Sequence, residues 1–230
     1  MTDEPGPLLA SGRAADVFDL GDGRVLRRYR EHHDVDVEVR AMRYVAERGF
    51  PVPNVHSADG SDLVMDLIAG PTMLEALEAA PWKVVWHARR LARLQRRLTR
   101  IKAPDWLLAD STSVGSARTH RPQSVLHLDL HPMNVILSRK GPVVIDWTNV
   151  AGGPAGFDGA LTFVIISTSA TSTPRDRFGQ QAFARSFRWF RGKRVIEPFL
   201  EAACDHRLAD RGILPDERVA VAALRTRLRK

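Results

Sequence analysis

The sequence predicts an α+β fold in which short strands and one helix occupy the chain to about residue 66 and helices dominate the rest. Three observations support this prediction. Residues 8–29 contain three short runs of strand-forming residues, each bounded by turn residues. From Met73 onward the apolar residues recur with helical spacing. Two β-branched runs within residues 135–145 interrupt the helical pattern and predict a hairpin.

The composition is that of an ordinary globular protein. With 44% apolar and 27% charged residues among 230, the chain can bury a sizeable core. The apolar run at residues 161–166 is far too short to span a bilayer, and the acidic start lacks the features of a signal peptide. The single cysteine, Cys204, permits no internal disulfide. We therefore expect a cytoplasmic protein with no membrane partner.

The strands of the first segment are predicted at residues 8–10, 16–20 and 24–29. Residues 11–15 separate the first two strands, and Gly-Asp-Gly at 21–23 is a good hairpin turn before the third. The pattern therefore predicts a small antiparallel sheet at the start of the chain.

A helix is predicted next, at residues 34–48, because Gly49 and two nearby prolines supply the usual stop signals. Residues 63–68 form a further apolar strand, which ends at the break Ala-Gly-Pro at 69–71. The sheet thus gains one more strand, and the helical part of the chain begins after the break.

An arginine-rich amphipathic helix is predicted at residues 82–101, with leucines on one face. Such a run of arginines is found in nucleic-acid-binding proteins, but more often it is the solvated face of a helix. No aromatic residues are interleaved with the arginines, which disfavours a nucleic-acid partner.

The candidate functional residues lie in the stretch 127–147. Its two β-branched runs flank the turn-forming cluster 139–142. Antiparallel pairing is expected to bring Asn134 beside Asp146, since each lies six residues from Lys140. Asp129 lies just upstream, in a loop that contains a proline.

These side chains suggest a metal and phosphate site, because carboxylate and amide oxygens suit Mg²⁺, which shares its ligands with phosphates. In a phosphoryl transfer, Asp129 would accept the proton of the attacking hydroxyl, and Asn134 and Asp146 would hold the metal. The alternative is a solvated loop in which Asp and Asn form turns, but it leaves their spacing unexplained.

The order His-x-Asp-x-x-x-x-Asn, followed by a hairpin and a further Asp, is that of a protein-kinase catalytic loop and its metal-binding Asp. Asp-Trp-Thr at 146–148 replaces the kinase D-F-G motif. With His-Leu-Asp-Leu-His-Pro at 127–132, the stretch resembles the aminoglycoside phosphotransferase family of kinase-like small-molecule kinases. The resemblance covers most of residues 8–165 and is specific only within 127–147.

The resemblance implies a bilobal, protein-kinase-like fold and ATP as the phosphoryl donor. Residues 1–66 are then expected to form a nucleotide-binding lobe with one helix, and residues 67–230 a mainly helical lobe that carries catalysis and the acceptor site. Asp158, whose position before an apolar helix also suits an N-cap, is expected to be a structural brace.

Further site residues follow from the same resemblance. Ser11 and Gly12 are expected to supply backbone amides that cover the phosphates, although a plain hairpin turn would have the same sequence. Arg27 falls where the family has a lysine that binds the phosphates, and a swap to arginine is not conservative. Glu38 is expected to pair with Arg27. The alternatives are an exposed strand arginine, for which Arg28 on the opposite strand face is the better candidate, and an exposed helix acid.

Backbone groups near Met65 and Leu67 are expected to bind the adenine edge. The predicted function is therefore ATP- and Mg²⁺-dependent phosphorylation of a small-molecule hydroxyl. Two rivals are a protein serine/threonine kinase and a nucleotide-binding regulator without catalysis. The missing D-F-G glycine argues against the first, and the intact Asp129, Asn134 and Asp146 argue against the second.

The acceptor is predicted to be neutral or anionic. Residues 175–230 contain 14 Lys and Arg against 7 Asp and Glu, which accounts for the whole formal net charge of +7. A polycationic aminoglycoside would be repelled by such a field. The acids Glu197, Glu201 and Asp205 recur every four residues and would form a stripe, which is either a solvated helix face or a site for a single amine.

Overall fold

The computed structural model describes residues 6–12, 14–31, 34–109, 123–210 and 212–229. The chain forms two compact units. The first unit consists of Met1–Pro71 with Val135–Val150, and the second of Thr72–Asn134 with Ala151–Lys230. The functional division of the chain at residue 66 stays a prediction.

The strands of the described residues all pair in antiparallel fashion. They are β1 (Leu8–Ser11), β2 (Ala15–Asp19), β3 (Arg24–Tyr29), β4 (Val55–Asp59), β5 (Asp62–Asp66), β6 (Gln123–Leu126), β7 (Val135–Ser138), β8 (Gly141–Val144) and β9 (Ala151–Pro154). The helices are α1 (Asp36–Ala46), α2 (Met73–Ala79), α3 (Val84–Leu98), α4 (Asp105–Ala109), α5 (Ala155–Thr168), α6 (Pro174–Arg191), α7 (Lys193–Ile196), α8 (Leu200–Ala209) and α9 (Pro215–Leu228).

A five-stranded sheet with the order β1-β2-β3-β5-β4 is the frame of the first unit. The three predicted N-terminal strands are confirmed, and the turn before β3 has positive φ at Gly21 and Gly23, which glycine adopts without strain. The strand β4 was not predicted, because its polar and largely exposed sequence VHSAD carries no clear strand pattern.

The predicted first helix is confirmed as α1, two residues shorter at each end. It buries Val39, Met42 and Val45 on one face. The chain then turns at Gly49, whose φ of 71° lies in the left-handed region that favours glycine at a helix end. This burial fixes which face of α1, and hence which acid of its first turn, points inward.

The hairpin β7–β8 belongs to the first unit, and its register differs from the expected one. Val135 pairs with Val144, so only two residues form the turn. The expectation that Asn134 would lie opposite Asp146 in the ladder is therefore wrong by one residue, because Pro142 joins the ladder instead of the turn. A two-stranded hairpin tolerates a proline whose missing N–H would face away from the partner strand.

Two contacts hold the hairpin within the first unit. Trp147 is fully buried with its ring edge-on to Phe50 at 5.7 Å, and its indole N–H donates to the carbonyl of Val144. At Gly70, φ is +146° and an added Cβ would meet the carbonyl oxygen of Leu137 at 2.5 Å. A residue with a side chain at position 70 would therefore clash with the main chain of β7 and push the two segments apart.

The helix α5 is buried on almost every side and forms the centre of the second unit, with α6, α8 and α9 packed around it. Asp158 lies inside the first turn of α5, so its prediction as an N-cap is wrong: the cap residue is Pro154. No helix in the described ranges is both long and apolar enough to cross a membrane.

Candidate active site

Arg27 is the centre of a charged network in the first unit. Its side chain, on the central strand β3, is 11% exposed. Nη1 donates to Oε1 of Glu38 at 3.1 Å, and Nη2 donates to Oδ1 of Asp146 at 2.7 Å. One guanidinium therefore bridges two carboxylates, one from the first turn of α1 and one from the segment that follows β8. A lysine, with a single nitrogen, would not present this fork.

Asp146 leaves the hairpin in an unusual backbone conformation. Its φ is 63°, in the left-handed region that non-glycine residues rarely adopt and that Asp tolerates better than most. Its side chain is 37% exposed, against 3% for Glu38. The two partners of Arg27 thus differ: Glu38 is enclosed, whereas Asp146 remains accessible.

Two hydroxyl groups that the sequence analysis did not predict complete the network. Tyr29 donates to Oε2 of Glu38 at 2.6 Å, and its ring lies 4.8 Å from the Arg27 guanidinium carbon. The Thr148 hydroxyl donates to Oδ1 of Asp146 at 2.8 Å and accepts from Nη2 of Arg27 at 3.0 Å. The oxygens of Tyr29 and Thr148 are 2.8 Å apart.

The pKa values in the network follow from this arrangement. Burial alone would lower the pKa of Arg27, but the charges of Asp146 and Glu38 outweigh it and raise the pKa above that of a free arginine. Burial, helped by the negative charge of Glu38, raises the pKa of Tyr29. Arg27 is therefore a permanent cation, and the Tyr29 hydroxyl keeps the proton that it donates.

Asp129 and Asn134 lie together in the second unit. A short 3₁₀ turn, Pro132–Asn134, folds the chain back. The Asn134 amide nitrogen then donates to the main-chain oxygen of Asp129 at 2.9 Å and to its Oδ2 at 3.1 Å. Nε2 of His131 lies 3.4 Å from the other carboxylate oxygen of Asp129. Asp129 is thus oriented by its own loop.

The loop is held from behind by Asp158. Leu128 has a φ of 61°, which is strained for a leucine, and its N–H donates to Oδ1 of Asp158 at 2.8 Å. Asp158 is fully buried, and burial raises the pKa of its carboxyl group, while the nearby His127 acts in the opposite sense. The contact is that of a brace, as the resemblance implied.

Ser11 and Gly12 are engaged in the turn between β1 and β2. The Ser11 hydroxyl donates to Asp16 at 2.7 Å, and the Gly12 N–H donates to the carbonyl of Ala15 at 2.9 Å. The hairpin turn is therefore real, and a role of this loop over phosphates stays a prediction.

Met65 is buried at the end of β5, and Leu67 is exposed just beyond it. The N–H of Leu67 donates to the carbonyl of Gly23 at 2.8 Å. Among the residues that the structure describes, the N–H groups of Ile68 and Ala69 make no hydrogen bond. The binding of the adenine edge by this segment stays a prediction.

Comparison with known families decides the class of the protein. The model of the phosphotransferase enzyme family matches residues 68–199, which is more than half of the chain. The chain belongs to the phosphotransferase enzyme family. Membership confirms the resemblance drawn from residues 127–147 and the prediction that the protein is a phosphotransferase.

Solved structures share the fold of this phosphotransferase. A thermostable mutant of aminoglycoside phosphotransferase APH(4)-Ia, in complex with AMP-PNP and hygromycin B, is 17% identical, with 97% of this chain and 92% of that chain covered and a TM-score of 0.67. ADP-bound aminoglycoside phosphotransferase APH(2'')-Ib is 15% identical, with 97% of this chain and 93% of that chain covered and a TM-score of 0.58. A choline/ethanolamine kinase family protein from Mesorhizobium loti is 18% identical, with 97% of this chain and 87% of that chain covered and a TM-score of 0.57.

At these identities the structural likeness shows the fold, and it confirms the predicted kinase-like α+β architecture. A search of the curated proteins found no sequence match. The acceptor and the roles of individual residues in this phosphotransferase therefore rest on its own side chains.

Asn134 and Asp146, the predicted metal ligands, each carry an oxygen of the kind that Mg²⁺ takes. Asn134 uses its amide nitrogen for the bonds to its loop, and the Asp146 side chain is 37% exposed. Their role as metal ligands stays a prediction. The described residues contain no cluster of three or more His, Cys, Asp or Glu that could hold a metal. Mg²⁺ is commonly held by one or two protein oxygens together with substrate phosphates.

Of the three acids of the predicted stripe, Glu201 and Asp205 lie on α8, whereas Glu197 lies in a short 3₁₀ turn before it. Each of the three acids is paired with an arginine. Glu197 contacts Arg188 of α6, and Asp205 contacts Arg225 of α9. Glu201 contacts Arg229, the residue that follows α9. The sequence analysis did not foresee these partners, because they lie 9 to 28 residues away along the chain.

Proposed function

We propose that the protein transfers the terminal phosphoryl group of ATP to a hydroxyl group of a small molecule. Asp129 is the catalytic base, Asn134 and Asp146 are the Mg²⁺ ligands, and Arg27 binds the phosphates. The observation that carries the proposal is the bridge from Arg27 to both Glu38 and Asp146. A kinase needs a cation on this strand that is positioned by a helix acid, and it needs the metal-binding Asp in place at the same time.

Asp129 suits the role of base. Its carboxylate is only 23% exposed, and Asn134 fixes its orientation. In the proposed reaction the acceptor O–H proton moves to a carboxylate oxygen of Asp129 while the acceptor oxygen bonds to the terminal phosphorus. The bond from that phosphorus to the bridging oxygen breaks, and ADP leaves. Mg²⁺, when bound, neutralises charge on the phosphates.

The nucleotide base is proposed to be bound by main-chain groups after β5. The segment near Met65 and Leu67 remains the candidate, with the amides of Ile68 and Ala69 as its donors because that of Leu67 already serves Gly23. Leu67, Ile68 and Ala69 have apolar side chains, so hydrogen bonds from this segment to the base would come from the main chain.

The acceptor is proposed to be a neutral or anionic small molecule. The stripe formed by Glu197, Glu201 and Asp205 is the feature that would attract an amine, but each carboxylate has an arginine partner. The excess of basic residues in 175–230 adds a field that repels cations.

An ATP-consumption screen against pooled metabolites, with and without Mg²⁺, tests the proposal. We expect Mg²⁺-dependent ADP release with at least one neutral or anionic hydroxyl compound, and none when Asp129 is replaced by Asn. Kanamycin-like compounds form a separate arm. Efficient, saturable phosphorylation of these at low concentration would contradict the acceptor class while leaving the reaction type intact. An absence of ATP consumption with every pool, together with tight nucleotide binding, would favour the regulator instead.

A further inference from the structure

The two hydroxyl groups of the Arg27 network are not accounted for by the proposed chemistry. Thr148 contacts both Arg27 and Asp146, and Tyr29 contacts both Glu38 and Thr148. They connect the four groups Glu38, Tyr29, Thr148 and Asp146 into a continuous row alongside the guanidinium. Each of the two hydroxyl groups therefore contacts more than one member of the network.

We infer that Thr148 and Tyr29 are positioning residues that fix Arg27 and Asp146 relative to one another for the binding of Mg²⁺-nucleotide. This inference rests on the proposed function. The replacement of the D-F-G glycine by Thr148 then has a specific consequence, because a glycine would offer no hydroxyl at this point of the network.

The placement of Thr148 explains why one hydroxyl has this influence. Nη2 of Arg27 donates to both Asp146 Oδ1 and Thr148 Oγ1, and Thr148 donates to the same Oδ1. The three groups thus form a closed triangle of 2.7, 2.8 and 3.0 Å. Closing the triangle restrains the Asp146 carboxylate about its own side-chain torsion, which one bond from Arg27 would leave freer.

Tyr29 supports the same arrangement from the other side. Its ring stacks beside the guanidinium of Arg27, and its hydroxyl binds Glu38. Thr148 has one proton, which either Asp146 or Tyr29 can accept. Tyr29 likewise has one proton, for which Glu38 and Thr148 are both acceptors. When this proton lies between the two hydroxyls, Thr148 keeps its own proton on Asp146, so Tyr29 helps to hold Thr148 in place.

The test measures equilibrium binding of ADP, with Mg²⁺ and with EDTA, to the full chain and to three variants. Thr148→Val keeps the shape and removes the hydroxyl, Thr148→Ser keeps the hydroxyl, and Tyr29→Phe keeps the ring. We expect Thr148→Val to weaken Mg²⁺-ADP binding about tenfold, since hydrogen bonds to charged groups are of this strength. Thr148→Ser should restore most of the affinity, and the loss should be smaller in EDTA.

Matched controls make the same chemical change elsewhere. Thr226→Val removes an exposed hydroxyl from α9, and Tyr44→Phe changes the other tyrosine of the chain. Both should bind Mg²⁺-ADP as the unmodified chain does. Thermal denaturation of each variant identifies any that fails to fold, and Tyr29→Phe then provides an independent test, with an expected loss of roughly threefold.

The outcomes separate the inference from the proposed function. If the unmodified chain binds no ADP, the proposed function fails. If it binds ADP and folded Thr148→Val binds equally well, the inference fails alone. It also fails if Thr148→Ser is as weak as Thr148→Val, because the hydroxyl would then not be the cause.

Discussion

Two sets of arginine–carboxylate pairs in this protein have the same chemistry and opposite surroundings. In the first unit, Arg27 and Glu38 have side chains 11% and 3% exposed. In the second unit, Arg229 and Glu201 have side chains 54% and 49% exposed, and every side chain in the pairs of Glu197 and Asp205 is at least 32% exposed. Charges that are withdrawn from water interact strongly and depend on one another, whereas water and salt screen charges at the surface.

The comparison separates charges that organise a site from charges that keep a surface neutral. Removal of one partner leaves a buried charge uncompensated in the Arg27 network, while the partner of an exposed pair is simply hydrated. The mutational effects should therefore differ in size and in additivity.

The largest expected effect is that of Asp129→Asn, which belongs to neither set of arginine–carboxylate pairs. Asp129→Asn preserves the shape of the proposed base and its contact with Asn134 but cannot accept the proton, so turnover should fall about 10²- to 10⁴-fold. Binding of Mg²⁺-ADP should be unchanged, in contrast to Asp146→Ala, which should weaken it. The measurements are steady-state kinetics with an identified acceptor and equilibrium binding of ADP. Near-normal turnover by Asp129→Asn would show that Asp129 is not the catalytic base.

The next effect tests the interdependence of the buried set. Arg27→Ala and Glu38→Ala should each cost about 1.5–3 kcal/mol of transition-state stabilisation, measured as kcat/KM for ATP. Their effects should be non-additive by about 0.5–3 kcal/mol, because either change breaks the same bridge.

Arg28→Ala is the matched control for this cycle. Arg28 is the neighbouring arginine of β3, its side chain is 42% exposed, and it pairs with Asp62 on β5. It should leave kcat/KM unchanged. Losses that simply add in the Arg27 and Glu38 double mutant, or a loss in Arg28→Ala equal to that of Arg27→Ala, would assign the phosphate-binding cation elsewhere.

The pairing of Arg27 with Glu38 was expected from the family resemblance, and the alternation along β3 separated Arg27 from Arg28. The hydroxyls of Tyr29 and Thr148 could not be predicted, because their role depends on how β3, α1 and the segment after β8 approach one another.

The fold shows the same limit. Strands with clear turns were found, but the hairpin register was missed by one residue, since nothing in the local sequence says whether Pro142 joins the ladder or the turn. The arginine partners of the acidic stripe were also missed, because they come from other helices. Spacing along one helix shows which acids share a face and does not show what covers that face.

A buried group that is expected to be neutral extends the comparison to pH. His87 of α3 is 2% exposed beside Trp86, and burial, with the charges of Arg90 and Lys83, lowers its pKa below 6.5. Below pH 6.5 the unfolded chain binds a proton that the folded chain resists. Stability should therefore be lost as the pH falls from 6.5 through the lowered pKa, by at most about 1.4 kcal/mol per pH unit.

Urea denaturation of the native chain and of His87→Phe, at neutral pH and at about pH 5, isolates this contribution because other titrating groups are common to both. The difference in the free energy of unfolding between the two proteins should change with pH in favour of His87→Phe under acid conditions. A constant difference would show that His87 takes up its proton as easily in the folded chain.

The smallest effects are expected for the exposed set. Glu201→Gln, Arg229→Gln and their double mutant should give a coupling energy below about 1 kcal/mol in urea denaturation, which about 1 M salt should largely abolish. The stripe is expected to contribute little to stability because both partners are hydrated when they separate.

Arg229→Gln also tests the acceptor class. Each carboxylate of the stripe has an arginine partner, and this variant leaves Glu201 without its cation. If phosphorylation of a kanamycin-like compound then appeared and Glu201→Lys abolished it, the arginine would be what excludes amines. If Arg229→Gln and Glu201→Gln both remain inactive toward such compounds, the acids and arginines of the stripe only balance each other's charge, and the acceptor is bound elsewhere.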